Sequence, residues 1–185
     1  MTTTPVQIPV EEYLRTVYRP DRDYIDGEVL ERNLGEKPHS RLQRFFLRFM
    51  EAFEDDLQIE ALPEQRLQIG PDSYRVPDVM VVSASDPDPR IVRTPPLLCI
   101  EILSSEDRMR KVQERLDDYA SMGVRTCWVV DPWRGTAYTA GPDGVLHEVK
   151  DRLTVEGTPI TITVDDIFAE LDRLERRAAS SQSRD

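Results

Sequence analysis

Four stretches of the chain repeat apolar residues at the three- and four-residue spacing that is typical of amphipathic helices. The most regular stretch begins at Ser40, which forms a capping pattern with Gln43, and it extends to about Glu54. The pattern predicts a strongly amphipathic helix. Its apolar face carries five residues: Leu42, Phe46, Phe49, Met50 and Phe53.

The other three predicted helices lie near the two ends of the chain and in its middle. They extend from Pro9 to Tyr18, from a Ser104 cap to Gly123 and, behind a Thr163 cap, from Asp165 to about Arg176. Glycine is the residue that most often follows a helix, so Gly123 is expected to end the second of them. Their apolar positions are, in order, Val10, Leu14 and Val17; Met109, Val112, Leu116 and Tyr119; and Ile167, Phe168, Leu171 and Leu174.

Between these helices, short apolar runs predict β-strands. A hairpin is predicted around Asp26-Gly27, the dipeptide that best marks a tight turn. Residues 97–103 are apolar on both faces, which is typical of a strand in the middle of a sheet. Further strands are predicted at 59–62, 65–69, 75–82 and 125–131 and near Ala137, Val145 and Ile160. This order predicts an α/β sandwich with a mixed central β-sheet flanked by helices.

Length and composition indicate a single domain. The chain has 185 residues, of which 39% are hydrophobic, and we expect one domain over 1–176 with a frayed tail at 177–185. No apolar run is long enough to span a bilayer, and the first residues lack a secretory signal, so a cytoplasmic location is expected. Cys99 and Cys127 lie in predicted buried strands. We expect both to be reduced core residues, which argues against a structural zinc site.

The formal net charge of −11 argues against general affinity for a phosphate backbone. Any contact with nucleic acid is therefore expected to be local. The best candidate is a basic stripe at the start of the most regular helix, in a segment without acidic residues: Lys37, Arg41, Arg44 and Arg48. Such a stripe is either a phosphate track or an ordinary solvated helix face.

Two carboxylates stand in strands that are otherwise apolar. Glu101 lies within LLCIEIL, and Asp78 follows Pro77 in RVPDVMVV. Pro77 predicts a bend or an edge where its strand opens towards solvent. A buried carboxylate is costly unless a cation, hydrogen bonds or a metal ion compensates. Two carboxylates at the ends of neighbouring strands can hold Mg²⁺ or Mn²⁺, as phosphodiester hydrolysis requires, and an ion pair with arginine is the alternative.

Six short stretches occur in a characteristic order: YIDGEV, HSRLQ, RVPDVMVV, LLCIEILSSEDR, DYASMGV and WVVDP. In this order they resemble the Uma-two (Uma2) family, which is similar to the restriction endonucleases of the PD-(D/E)XK superfamily. The resemblance covers the chain from Glu12 to about Pro132. It implies a nuclease fold, metal ligation by Asp78 and Glu101, Mg²⁺ or Mn²⁺ as cofactor, and nucleic acid, foremost DNA, as substrate.

The chain departs from the superfamily pattern at the lysine of the Glu-x-Lys motif, because Leu103 stands in its place. The resemblance indicates that the cation has moved into the following helix, to Arg115, while Lys111 one turn earlier points further towards water. A guanidinium can stabilise charge on a phosphate, but it cannot lose a proton. Arg115 therefore either supports catalysis or forms a surface salt bridge with Asp118 or Glu114.

The resemblance also places His39 and Glu28 near the site. His39 either contacts phosphate or has a purely structural role at a helix start, and Glu28 could equally be an exposed hairpin residue. Three functions remain open: a metal-dependent endonuclease, a catalytically impaired nuclease-fold module that binds nucleic acid or a protein partner, and a hydrolase of another substrate. Two cuts on a duplex would favour a symmetric homodimer.

Overall fold

The computed structural model describes residues 7–32, 36–87 and 90–182, apart from the side chains at 175 and 178–182. The helices in these ranges are α1 (Val10–Arg15), α2 (Lys37–Glu51), α3 (Glu54–Leu57), α4 (Met109–Met122) and α5 (Val164–Gln182). The strands are β1 (Asp23–Ile25), β2 (Glu28–Leu30), β3 (Ile59–Pro63), β4 (Leu67–Gly70), β5 (Ser73–Arg75), β6 (Val79–Ser83), β7 (Leu98–Ile102), β8 (Cys127–Asp131), β9 (Thr136–Ala140), β10 (Leu146–Val149), β11 (Arg152–Thr154) and β12 (Thr161–Thr163).

The strands form three sheets. The main sheet has the order β10-β9-β8-β7-β6-β3, and all its pairs are antiparallel except β7 with β8. A smaller antiparallel sheet has the order β2-β1-β5-β4, and β11 pairs with β12. The predicted α/β class with a mixed central sheet is confirmed, and so is the central position of β7. None of the described helices has the length and apolar character needed to cross a membrane.

Helices cover both faces of the main sheet, because its strands are apolar on both sides. On one face, α2 and α5 pack against Ile100, Ile102 and Trp128. On the other face, α4 packs against Cys99 and Val129. Cys99 and Cys127 are both free thiols in the core, as expected. Glu101 projects to the α4 side, since successive side chains of a strand alternate between faces.

The predicted strand over residues 75–82 is instead two strands that belong to different sheets. β5 ends at Arg75 in the small sheet, and β6 begins at Val79 in the main sheet. The connecting residues 76–78 contain Pro77, which has no backbone N–H for a sheet ladder and therefore favours the break. The expected bend is confirmed, and it places Asp78 at the junction of the two sheets. The expected opening towards solvent was wrong, because Pro77 and Asp78 are buried.

Three predicted helix boundaries were wrong. α1 ends at Arg15, so Val17 lies beyond it and is 79% exposed. α2 begins at Lys37, with Pro38 in its first turn, where a proline is tolerated because its missing N–H would be unpaired anyway. Ser40 therefore lies inside the helix and does not cap it. At the other end of the chain, α5 continues past Arg176 to Gln182.

The Ser104 cap was also wrong. The backbone N–H and hydroxyl of Ser104 both donate to Asp107 Oδ2 at 2.8 Å, which closes a turn ahead of the helix. α4 itself begins at Met109, whose side chain is exposed. The remaining apolar positions of this helix, from Val112 onwards, are buried as predicted. The Thr163 cap is confirmed, because its hydroxyl accepts from the N–H of Asp166 at 3.1 Å.

Gly123 ends α4 as predicted, with a φ of 101° in the left-handed region. We expect Gly123→Ala to lower the free energy of unfolding by about 1–2 kcal/mol, because a Cβ disfavours this conformation. Urea unfolding would measure the change. Gly141→Ala is the matched control, since Gly141 has no positive φ and its nearest new neighbour would be 3.6 Å away. Equal losses in the two variants would contradict this account.

Candidate active site

Asp78 lies just before β6, next to Glu101 of the neighbouring strand β7. The register of β6 with β7 begins at Val79 and Ile100, and the N–H of Ile102 donates to the Asp78 carboxylate at 2.7 Å, so Asp78 lies beside the Glu101 end of β7. The backbone carbonyl of Asp78 is fixed from two sides, by the Gln43 side-chain amide at 2.9 Å and the N–H of Glu64 at 3.3 Å. The two candidate ligands are thus brought together by the main-chain ladder and held by α2.

The Asp78 carboxylate is buried and fully engaged. Its Oδ1 accepts from the guanidinium of Arg32, and its Oδ2 accepts from the N–H of Ile102 at 2.7 Å and lies 3.2 Å from His39 Nε2. Burial alone would raise its pKa. The hydrogen bond from His39 and the charge of Arg32 outweigh burial, so the pKa of Asp78 falls below its usual value. Asp78 is therefore ionised at neutral pH.

The pKa of Glu101 is shifted in the opposite direction to that of Asp78. The Glu101 side chain is only 2% exposed, and it accepts from the hydroxyl of Tyr119 at 2.5 Å and pairs with Arg115 at 3.2 Å. Burial raises the pKa of Glu101 to about 7, against the lowering effect of the Arg115 charge. The neighbouring charge of Asp78 adds to the rise. Glu101 therefore changes its protonation near neutrality, whereas Asp78 does not.

His39 lies in the first turn of α2 and pairs with Asp78. Burial lowers the pKa of His39. The hydrogen bond to Asp78 and the charge of that carboxylate raise it by more, so the net pKa lies above the usual value. The imidazole therefore remains protonated to higher pH than a free histidine. In this geometry it supports Asp78 directly, whatever other contact it makes.

Arg115 joins Glu101 to Asp107, with its Nη2 at 3.0 Å from Asp107 Oδ1. The expected alternative, a surface salt bridge with Asp118 or Glu114, was wrong for the described structure. Asp118 pairs with Arg75 and Glu114 with Arg110 instead. Arg115 is 16% exposed at the side chain, so it is a buried cation of the site and not a surface group.

A pocket of about 430 Å³ opens over the carboxylates. Its lining includes four cations, Arg32, Arg75, Lys111 and Arg115, and four acids, Asp23, Glu31, Asp107 and Glu114. Asp78 and Glu101 do not line it directly, but their partners Arg32 and Arg115 do. An anion that enters this pocket would meet the two arginines before the carboxylates.

Residues 10–166 match the family model described as "Uma2: Putative restriction endonuclease". The chain belongs to the Uma2 family. The match spans strands of all three sheets and both candidate ligands. None of the curated proteins matches the chain.

A solved structure has the same fold as this Uma2 chain. It is described as that of a putative nuclease belonging to DUF820 from Anabaena variabilis ATCC 29413. The TM-score is 0.79 at 22% sequence identity, and the alignment covers 89% of this chain and 99% of the other. At that identity the likeness establishes the shared architecture of the two proteins.

Two further sets of candidate residues lie away from the carboxylates of this Uma2 protein. Glu28 is in β2, opposite Ile25, and no hydrogen bond or ion pair within the described ranges joins it to Asp78 or Glu101. The basic stripe points away as well. Successive residues of a helix are about 100° apart around its axis, which places the stripe on the side of α2 roughly opposite His39. Arg41, Arg44 and Arg48 line a groove between α2 and α5 instead, and Lys37 is exposed at the start of α2.

Sequence reasoning missed Arg32 and the contact of Tyr119 with Glu101. Tyr119 was expected only as an apolar position of α4, although the hydroxyl of a buried tyrosine usually has a hydrogen-bond partner. Arg32 lies just after β2, in a segment without regular periodicity. The cost of a buried Asp78 does indicate a cation opposite it, but the chain has 24 lysines and arginines from which to choose.

The donor atoms fit a hard divalent cation better than a soft one. Among the described residues, no group of three or more His, Cys, Asp or Glu side chains could enclose a metal ion. Two carboxylates are nevertheless the usual protein contribution to a Mg²⁺ site, which water and substrate phosphate complete. The carboxylate oxygens of Asp78 and Glu101 would be these ligands, and their present cationic partners show that the site already stabilises a positive charge there.

Proposed function

We propose that this Uma2 protein hydrolyses phosphodiester bonds of nucleic acid, with DNA as the main substrate, and that Asp78 and Glu101 hold a Mg²⁺ or Mn²⁺ ion for this reaction. The observation that carries the proposal is that these two buried carboxylates, one in β7 and one just before β6, are each paired with an arginine that lines the same pocket. Membership of a family described as "Putative restriction endonuclease" supports the same reaction class.

The side chains around the two carboxylates would each have a separate role in this reaction. Arg115, with Lys111 at the pocket rim, would neutralise charge on the phosphate. His39 would keep Asp78 ionised and oriented. Tyr119 would orient Glu101 through its hydroxyl. The basic stripe on α2 would contact the backbone of a longer substrate away from the cut.

The reaction itself is a displacement at phosphorus. A water oxygen bonds to phosphorus as the bond from phosphorus to the leaving sugar oxygen breaks. The water gives up a proton to solvent, and the leaving oxygen takes one. A bound divalent ion supplies Lewis acidity and makes water a better nucleophile near neutral pH. A homodimer would allow cuts in both strands of a duplex.

Two observations favour a second function, a nuclease-fold module that binds nucleic acid or a protein without cutting. Leu103, which stands at the usual lysine position, is buried in the apolar core against α4. Both carboxylates are also paired with arginines. A chain in which those pairs are permanent would keep the pocket but not the chemistry.

We expect calorimetry to detect Mn²⁺ binding by the wild type. In the Asp78→Ala/Glu101→Ala double variant, binding should be weaker by more than about 100-fold, because loss of a group that only orients a metal ligand already costs about 10–100-fold. A plasmid-nicking assay on the same samples should give nicks with the wild type alone. Binding without nicking in the wild type would select the non-cutting module.

Asp131→Asn is the matched control for this experiment. Asp131 is a buried carboxylate at the end of β8, where it accepts from the N–H of Trp133 at 2.9 Å and pairs with Arg134. Its replacement should leave Mn²⁺ binding and nicking unchanged. Nicking that survives in the double variant would refute the proposed metal site.

A further inference from the structure

Arg32 combines deep burial with an unused hydrogen-bond donor. Its side chain is 10% exposed, and its Nη2 is bound to Asp78. Its Nη1 has no hydrogen-bond partner among the described residues, and the nearest carboxylate oxygen, on Glu64, is 3.9 Å away. A buried donor without a partner is costly and uncommon in native proteins. The same side chain lines the 430 Å³ pocket, but Nη1 itself has almost no solvent-accessible surface, so a ligand in the pocket reaches this donor only when the groups that cover it move.

Arg75 provides an internal comparison, because it is a second buried arginine on the same pocket. Its Nε and Nη2 both contact Asp118, at 2.7 and 2.6 Å. Its Nη1 donates to Asp23 at 2.8 Å. All three nitrogens of Arg75 are thus engaged by protein carboxylates. Arg75 joins the small sheet to α4, whereas Nη1 of Arg32 has no hydrogen-bond partner among the described residues.

The planar guanidinium of Arg32 can bind two anions at once. Its fork presents donors in fixed directions that match the oxygens of carboxylates and phosphates. With Nη2 on Asp78, the free Nη1 can take one phosphate oxygen without any loss of the existing ion pair. A neutral ligand would leave the positive charge balanced by Asp78 alone and gain less from this donor.

We propose that Arg32 binds a phosphate oxygen of the substrate. It would then be the phosphate-binding cation on the Asp78 side of the site, in place of the lysine that is missing from the Glu-x-Lys motif. This inference rests on the proposed function for the identity of the substrate. Phosphate binding by Arg32 needs no metal ion, however, and it can be tested where no cleavage occurs.

The first test measures binding of fluorescein-labelled duplex DNA by anisotropy, in EDTA and at low ionic strength. Arg32→Gln should weaken binding about tenfold, which corresponds to one lost charge-assisted hydrogen bond. Arg32→Lys, which keeps the charge, should lose less. Arg75→Gln removes the same charge from the same pocket and should cost less than about threefold. Equal losses for Arg32→Gln and Arg75→Gln, or no binding by the wild type in EDTA, would overturn the inference.

A second test does not depend on the stability of the Arg32 variants alone. Asp78→Asn should tighten metal-free DNA binding several-fold, because it releases Arg32 from its carboxylate. In Asp78→Asn/Arg32→Gln that gain should disappear. The same gain in both variants would mean that loss of a negative charge is sufficient, and Arg32 would then have no such role.

These outcomes are separable from those for the nuclease proposal. Failure of Arg32 to affect metal-free binding leaves Mn²⁺ binding and nicking by the wild type untouched. Failure of Mn²⁺ binding, in turn, leaves the Arg32 measurements in EDTA valid as a test of phosphate recognition.

Discussion

Phe46→Ala is expected to lower the free energy of unfolding by about 3–5 kcal/mol, the range for large aromatic side chains removed from a core. Phe46 is fully buried in the middle of α2, with its ring centroid 6.2 Å from that of Trp128. Its removal leaves a cavity between the helix and the sheet. The same helix holds His39 and Gln43 against Asp78, so loss of packing should also loosen the site. Denaturant unfolding measures the first effect.

Phe45→Ala is the matched control for Phe46→Ala. Phe45 is the preceding residue of α2, but it is only partly buried against the same core. Its replacement should cost about 1–2 kcal/mol, because part of its surface is already in water. Similar losses at the two positions would show that α2 is not held mainly by the Phe46 face.

Glu101→Gln is expected to make the metal-free protein more stable than the wild type at pH 8, by up to about 3 kcal/mol, while the two have similar stability at pH 4.5. The folded state raises the pKa of Glu101 from 4.5 to about 7. The folded state therefore holds a proton that the unfolded state has released, and wild-type stability falls as pH rises through this window. Glutamine mimics the protonated form and does not show this loss.

The difference between the two proteins reports mainly on Glu101. The pKa of His39 is also raised, so its contribution is complete at low pH and is lost as pH rises through the folded value; the charge of Glu101 is the smallest of the causes of that rise, so the loss is similar in both proteins. The pKa of Asp78 is lowered, so its contribution is lost only in acid. Urea unfolding in EDTA across this pH range gives the comparison, with Glu114→Gln, at a half-exposed ion pair on α4, as control. Parallel pH profiles for wild type and Glu101→Gln would contradict the assignment.

Local patterns were sufficient to predict most of the secondary structure. Apolar runs predicted β7 and β8, and Asp26-Gly27 predicted the first hairpin, where both residues have positive φ as a tight turn of this kind requires. Helix starts were less predictable, because several residues near each start can serve as caps. Pro38 and Asp107, not Ser40 and Ser104, decided where α2 and α4 begin.

The candidate ligands could be found from the sequence because a carboxylate in an apolar strand is unusual wherever it occurs. Their partners could not be found in this way, because a contact between segments far apart in the chain produces no periodic pattern in the sequence. Arg32 is separated from Asp78 by 46 residues. The break at Pro77 was expected, but not the change of sheet that accompanies it, since strand pairing depends on the whole chain.

The long separations within the site also set the order in which it can form during synthesis. Arg32 and His39 leave the ribosome well before Asp78, and Glu101 and Tyr119 follow later still. Each contact closes a loop whose entropic cost is repaid only when both strands have docked. A nascent chain therefore carries no assembled site until α4 has been made. If the site cuts nucleic acid, the cell's own messenger and chromosome are not exposed to it before translation has passed α4, which ends at Met122.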